Sequence, residues 1–121
     1  MQKHSKILYF KEKAMKVIYN KFIPIKGFVA INLFGVVFAR KEHKPLSIMA
    51  INHEDIHTAQ MKELLYIGFY LWYAIEWLFL LIKHRNAKTA YRNIRFEKEA
   101  NTKESDFYYL YRRKLYAWIN Y

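Results

Sequence analysis

The sequence contains no cysteine. This absence excludes disulfides and thiolate metal sites, so any metal ion must be held by His, Asp or Glu. Glycine and proline are also scarce, with three and two residues in a chain of 121. No stretch resembles a linker, an internal repeat or a low-complexity tract. Because this length suits one domain, we expect residues 1–121 to form a single domain.

Acidic residues are few as well. Ten Asp and Glu face 21 Lys and Arg, which leaves a formal net charge of +11. Such a balance favours an anionic partner: nucleic acid, anionic lipid or an acidic protein. A hydrophobic content of 54% and an aromatic content of 19% exclude a disordered chain. Residues 1–13 carry charges throughout and do not resemble a signal peptide, which favours a cytoplasmic location.

One long apolar segment, residues 64–82, has Glu76 as its only charge. As a helix this segment is long enough to cross a bilayer. A carboxylate near its centre would be costly in lipid and would need a partner, for which we consider Arg92 and Arg95. Two interpretations stay open: a helix that is buried or lies on a membrane surface, which we favour, and a true span.

The remaining pattern predicts an α+β fold that is mostly helical, with a small β-hairpin or edge sheet. Residues 28–39, rich in Val, Ile and Phe, predict two short strands or one bent strand. Four segments predict helices: an amphipathic one at 5–20, one at 47–63 with Ser47 as its N-cap, the apolar one at 64–83, and one or two at 95–119.

The chemistry-bearing motif is His53-Glu54-Asp55-Ile56-His57, an H-E-x-x-H sequence within the predicted 47–63 helix. Residues i and i+4 of a helix point the same way, so both imidazoles can reach one ion. Glu54 is offset around the helix and can face a water molecule bound to that ion. Zinc lowers the pKa of such a water towards about 7, and the glutamate can then take its proton.

A catalytic zinc needs a third protein ligand. The other histidines do not follow the motif at the short spacing of the metzincins, whereas Glu97 and Glu99 offer carboxylates downstream. At about 100° per residue, Glu97 lies nearer than Glu99 to the centre of the downstream apolar stripe, about 70° away against about 90°. We therefore predict Glu97 as the inward-facing ligand and Glu99 as outward-facing. The stripe consists of Phe96, Ala100, Phe107, Tyr111 and Trp118.

The two motifs together, H-E-x-x-H and Glu97-Lys98-Glu99-Ala100-Asn101 as E-x-x-A-N, resemble the gluzincin metallopeptidases over residues 27–101. The resemblance implies a minimal zincin-like core with one Zn²⁺ per chain, held by His53, His57 and Glu97. It implies that Glu54 is the catalytic base and later the acid. It also implies that an edge strand from 28–39 lines the cleft for a peptide or protein substrate, hydrolysed by attack of a zinc-bound water.

Some supporting residues can be suggested. Gln60 lies on the ligand face, and Asn101 replaces the acid that often orients the first histidine, so both are candidates for hydrogen bonds to the ligands. A peptidase also needs a donor for the oxyanion. The sequence does not choose among Tyr91, Arg92, Tyr108 and His84.

Two alternatives compete with a peptidase. One is a non-enzymatic basic, aromatic protein that binds a membrane or nucleic acid, since Arg112, Arg113 and Lys114 lie among C-terminal aromatics. For that segment we favour an ordinary amphipathic helix, with aromatics in the core and cations facing water, because the aromatics continue the apolar stripe. We do not expect nucleic acid as a partner. The other is an inactive relative that holds zinc without an open coordination position.

Overall fold

The computed structural model describes residues 16–121, and within them the fold is α+β and mostly helical, as predicted. Two 3₁₀ turns, Lys41–His43 and Ala117–Asn120, complete the regular structure. The strands are β1 (Lys16–Asn20), β2 (Ala30–Leu33) and β3 (Val36–Arg40). The helices are α1 (Ile48–Glu63), α2 (Ile67–His84), α3 (Ala87–Asn93), α4 (Arg95–Lys103) and α5 (Tyr109–Arg112).

The sheet has the order β1-β3-β2, with β1 parallel and β2 antiparallel to the central strand. The predicted β segment is therefore a hairpin of two short strands. Its two-residue turn needs left-handed backbone at both positions, and Phe34 and Gly35 supply it with φ of 56° and 90°. In this order β2 is an edge strand.

The helix predicted for residues 5–20 is wrong where it can be compared with the structure. Residues 5–15 lie outside the described part, and Lys16–Asn20 forms β1. The sequence of this strand, KVIYN, is dominated by β-branched and aromatic side chains that suit a pleated surface. Val17 and Tyr19 pack against the buried Val37 and Ala39 of β3, and this packing prevails over a weak helical periodicity.

Helix α1 begins as predicted, because the Ser47 hydroxyl accepts a hydrogen bond from the Ala50 N–H at 3.0 Å. The apolar helix begins at Ile67, three residues later than predicted. Leu65 and Tyr66 adopt left-handed backbone, with φ of 55° and 62°, and so turn the chain sharply between α1 and α2. This turn lays α2 across α1. The inner face of α2 then covers α1, the helix that carries His53 and His57.

The length of α2 and the environment of Glu76 bear on whether the apolar segment spans a membrane. Among residues 16–121 no single helix is long and apolar enough to cross a membrane, and α1 with α2 meets that test only as a pair bent by 107°. Glu76, the one charge in this segment, accepts hydrogen bonds from the backbone N–H and the guanidinium of Arg95, both at 3.1 Å. Arg95 was one of the two partners predicted for it.

The C-terminal region departs from the prediction. Helix α4 ends at Lys103, α5 is four residues long, and Ala117–Asn120 is 3₁₀, so the expected helices over 95–119 are interrupted twice. Tyr111, placed on the apolar stripe by sequence, is 86% exposed. The stripe assumed a continuous helical phase, whereas the chain reverses after α4.

This reversal also makes the outward placement of Glu99 wrong. Glu99 is fully buried, and it accepts hydrogen bonds from the side chains of Gln60, Tyr109 and Arg113. Arg113 binds the buried carboxylate of Glu63 as well. Because Arg113 faces it, the pKa of Glu99 is lowered even though burial alone would raise it. This network ties the C-terminus to both helices that carry the predicted ligands.

Candidate metal centre

Three side chains meet where α4 crosses α1. His53 and His57 lie one turn apart on α1, and Glu97 comes from the first turn of α4. The two Nε2 atoms are 3.0 Å apart, and each lies 3.2 Å from Glu97 Oε1. The structure thus brings together the three residues that the sequence predicted as ligands, and this group could hold a metal ion.

The His57 ring is oriented by Gln60. The Gln60 amide NH₂ donates to the Phe96 carbonyl and to the Glu99 carboxylate, each at 3.0 Å, so its oxygen faces His57. That oxygen lies 2.7 Å from His57 Nδ1 and can only accept. The Nδ1 atom therefore carries a proton, and neutral His57 presents the lone pair of Nε2 to the centre.

The His53 ring is oriented by Glu104, whose carboxylate lies 3.0 Å from His53 Nδ1. Glu104 follows the end of α4, and the buried side chain of Asn52 holds this turn by donating to the carbonyls of Lys103, Glu104 and Asp106. A carboxylate accepts a hydrogen bond from the N–H group of Nδ1. Neutral His53 therefore also presents the lone pair of Nε2 to the centre.

The third ligand atom belongs to Glu97, which is 3% exposed. Its other oxygen, Oε2, accepts a hydrogen bond from the Tyr73 hydroxyl of α2 at 2.7 Å. This bond directs Oε1 toward the two imidazoles. Burial and the neighbouring Glu97 raise the pKa of Tyr73, so that its hydroxyl remains a donor.

Three acceptor atoms, the two Nε2 atoms and Glu97 Oε1, therefore converge. With both rings protonated on Nδ1, neither imidazole directs an N–H group into the space between them. Only a cation, either a proton or a metal ion, can stabilise such an arrangement in a buried site. Ligand atoms about 2.05 Å from one tetrahedral ion are about 3.3 Å apart. The observed separations of 3.0–3.2 Å are close to that value.

The electrostatics of the group favour a positive charge on or beside the imidazoles. Burial alone would lower the pKa of His57, but the charge and hydrogen bond of Glu97 raise it to about 9. Burial likewise opposes ionisation of Glu97, yet both histidines hold its pKa below its usual range. In the absence of metal, a proton on an imidazole supplies the charge that the carboxylate needs.

A cleft of about 560 Å³ opens beside these ligands. Glu54 lines it together with His53, His57 and Glu97, so the predicted base borders the same space as the predicted ligands. Burial raises the pKa of Glu54, against the opposing effect of the two histidines. The rest of the wall is largely apolar and includes Phe22, Ile25, Phe28, Ile31, Phe69 and Tyr70.

The edge strand β2 runs along this cleft, through Ala30, Ile31 and Asn32. The Asn32 amide group donates to the Glu54 carbonyl and to the Thr58 hydroxyl, each at 2.9 Å, which fastens the strand to α1. The Tyr70 hydroxyl donates to the Asn32 carbonyl at 3.0 Å. The strand is therefore held at a fixed place beside Glu54.

The supporting residues suggested by sequence fare unevenly. Gln60 contacts His57, whereas Asn101 is exposed and Glu104 occupies the place beside His53. Of the four suggested oxyanion donors, only Tyr91 lines the cleft. Burial and Glu97 together raise the pKa of Tyr91.

Sequence reasoning missed Tyr73 and Glu104. Tyr73 lies in a segment where every other side chain except Glu76 is uncharged and bulky or apolar, so nothing distinguished it. Glu104 could have been suspected, since it lies seven residues after Glu97, two turns along if the helix had continued. The turn that Asn52 holds brings it to His53 instead.

No protein-family model matches this chain, and neither the curated proteins nor the solved structures include one with significant similarity to it. The resemblance to gluzincins therefore depends on the two sequence motifs. The geometry of the candidate metal centre is an independent observation about this chain.

Proposed function

We propose that this protein is a zinc-dependent metallopeptidase, with His53, His57 and Glu97 as zinc ligands and Glu54 as the catalytic base. One observation carries the proposal: three lone-pair donors converge on one point beside an open cleft, and the half-buried carboxylate of Glu54 borders that cleft. Two imidazoles and a carboxylate are the ligand set of several catalytic zinc sites, which keep a fourth position open.

His53, His57 and Glu97 are donors that zinc favours, and a zinc ion held by them would supply a Lewis acid that lowers the pKa of a water molecule beside it. The chain's own groups perform the proton transfers. Glu54 accepts the proton of the attacking water and passes it to the leaving nitrogen. The raised pKa of Glu54 suits this exchange, because the carboxylate must both take and return a proton.

Two further groups fit the same reaction. Tyr91 lines the cleft with a protonated hydroxyl and is the proposed donor to the oxyanion. An extended peptide can align with the edge strand β2 through backbone hydrogen bonds. The apolar wall of the cleft favours substrates with apolar side chains near the scissile bond.

The test is a Glu54→Gln variant. We expect it to retain zinc at the wild-type stoichiometry and to lose hydrolysis of a peptide mixture, scored by mass spectrometry, by at least about a hundredfold. Asp55→Asn removes the neighbouring carboxylate of the same motif and is the matched control. Hydrolysis that persists in Glu54→Gln would contradict the proposal, whereas zinc binding without any wild-type hydrolysis would favour a structural metal site.

A further inference from the structure

Helix α2 leaves an apolar stripe uncovered. The stripe comprises Ile67, Leu71, Ile75, Leu78, Phe79 and Ile82, whose side chains are between 52% and 77% exposed. At about 100° per residue its centre lies roughly opposite the inner face of the helix. That inner face packs Phe69, Tyr73 and Leu80 into the core. Contiguous apolar patches beyond roughly a few hundred Å² mark interaction surfaces.

The chemistry of the stripe favours lipid over protein. None of its six side chains has a polar atom, whereas protein interfaces usually form one hydrogen bond per roughly 100–200 Å². The hydrocarbon chains of lipids form no hydrogen bonds, so a surface without polar atoms suits them. From Ile67 to Ile82 the helix is about 22 Å long at about 1.5 Å per residue, enough to lie along a membrane interface.

The charges that follow the stripe along the chain indicate which class of lipid it binds. Between Glu76 and Glu97 the sequence has five Lys and Arg and no acid, and Lys83, Arg85, Lys88 and Arg92 are exposed. Most acids of residues 16–121 form ion pairs within the chain, so they do little to offset these cations on the surface. The acids paired with arginine are Glu42, Glu63, Glu76, Glu99 and Asp106.

We propose that the exposed stripe of α2 binds the surface of an anionic lipid bilayer, with the helix lying in the interface and the cations of residues 83–92 contacting lipid phosphates. Apolar burial and attraction to anionic headgroups add in this mode of binding. The inference is independent of the metal centre, since no residue of the stripe lines the cleft.

The experiment is co-sedimentation of the full chain with vesicles of phosphatidylcholine alone or of phosphatidylcholine and phosphatidylglycerol in equal parts. We expect binding to the mixed vesicles that weakens with salt, and little binding to the neutral ones. Ile75→Asp or Leu78→Asp should reduce the partition coefficient at least about tenfold. Met49→Asp, at an exposed apolar position of α1, is the matched control and should bind like the wild type.

A second pair of variants tests the charges. Lys83→Gln with Lys88→Gln should reduce binding about fivefold for each lysine, whereas Lys41→Gln with Lys44→Gln, exposed in the turn after β3, should have a smaller effect. Thermal melts of all variants should match the wild type, because every substituted side chain is exposed. Equal binding to neutral vesicles, or binding that Ile75→Asp leaves unchanged, would overturn the proposal. So would stripe-dependent dimers by light scattering with no vesicle binding.

Discussion

Removing the Glu104 carboxylate should weaken zinc binding without unfolding the protein. The Glu104 carboxylate accepts a hydrogen bond from His53 Nδ1–H at 3.0 Å. The Glu104 side chain is 29% exposed, and that of His53 is 13% exposed. Loss of such a partner costs about 10–100-fold in metal affinity. Because solvent partly screens this contact, we expect Glu104→Ala to fall near the lower end, about tenfold or 1.4 kcal/mol.

The fold should survive this change, since Asn52 holds the turn through backbone carbonyls and not through the Glu104 side chain. Glu104→Gln keeps an acceptor oxygen and should lie within a few-fold of wild type. Glu42→Ala is the control for net charge, because it also deletes one carboxylate, from a side chain that is 44% exposed and pairs with Arg40.

The assay is competition for zinc with a chelating dye at fixed pH and salt. Circular dichroism melts of the metal-free proteins check that each variant is folded. The reasoning would be refuted if Glu104→Ala bound zinc as tightly as the wild type. It would equally be refuted if Glu42→Ala weakened binding as much, since the effect would then reflect overall charge.

Three further predictions concern burial and pH. Arg113→Met leaves the carboxylates of Glu63 and Glu99 buried without their cation. It should lower the free energy of unfolding, measured by urea titration, by about 3–5 kcal/mol. The control Arg112→Met removes a guanidinium that is 60% exposed and should lower the same free energy by only about 0–1 kcal/mol. Zinc must displace the His57 proton, so affinity should fall about tenfold per pH unit below pH 9, with a flat profile as the contrary result. In the metal-free protein the sign reverses. The raised pKa of His57 contributes stability that is complete below about pH 6.5 and is lost as pH rises through about 9, so thermal melts in chelator should fall over that range.

Much of the candidate site could be predicted from local spacing. The i, i+4 rule places His53 and His57 on one face of a helix whose start Ser47 caps, and these features depend only on residues near them in the sequence. The inward direction of Glu97 was predicted from the apolar stripe, whose first two members, Phe96 and Ala100, are buried on α4. The hairpin likewise needs only a Gly-containing turn between two β-branched runs.

What escaped prediction depends on contacts between distant segments. Glu99 is buried because the chain reverses after Lys103 and brings Arg113 back to it. A helical periodicity extended through this region cannot predict such a reversal. The strand β1 forms because β3 offers it a parallel partner. Glu104 reaches His53 through a turn that Asn52, far away in sequence, holds in place.

The metal content of the purified protein tests the central claim most directly. We predict about one zinc ion per wild-type chain and a loss of that zinc in both His53→Ala and Glu97→Ala, with zinc retained in Glu42→Gln, whose carboxylate is 44% exposed and pairs with Arg40. A wild-type protein that carried no zinc and bound none when it was supplied would contradict the account. The three converging acceptors would then be held together by a proton alone.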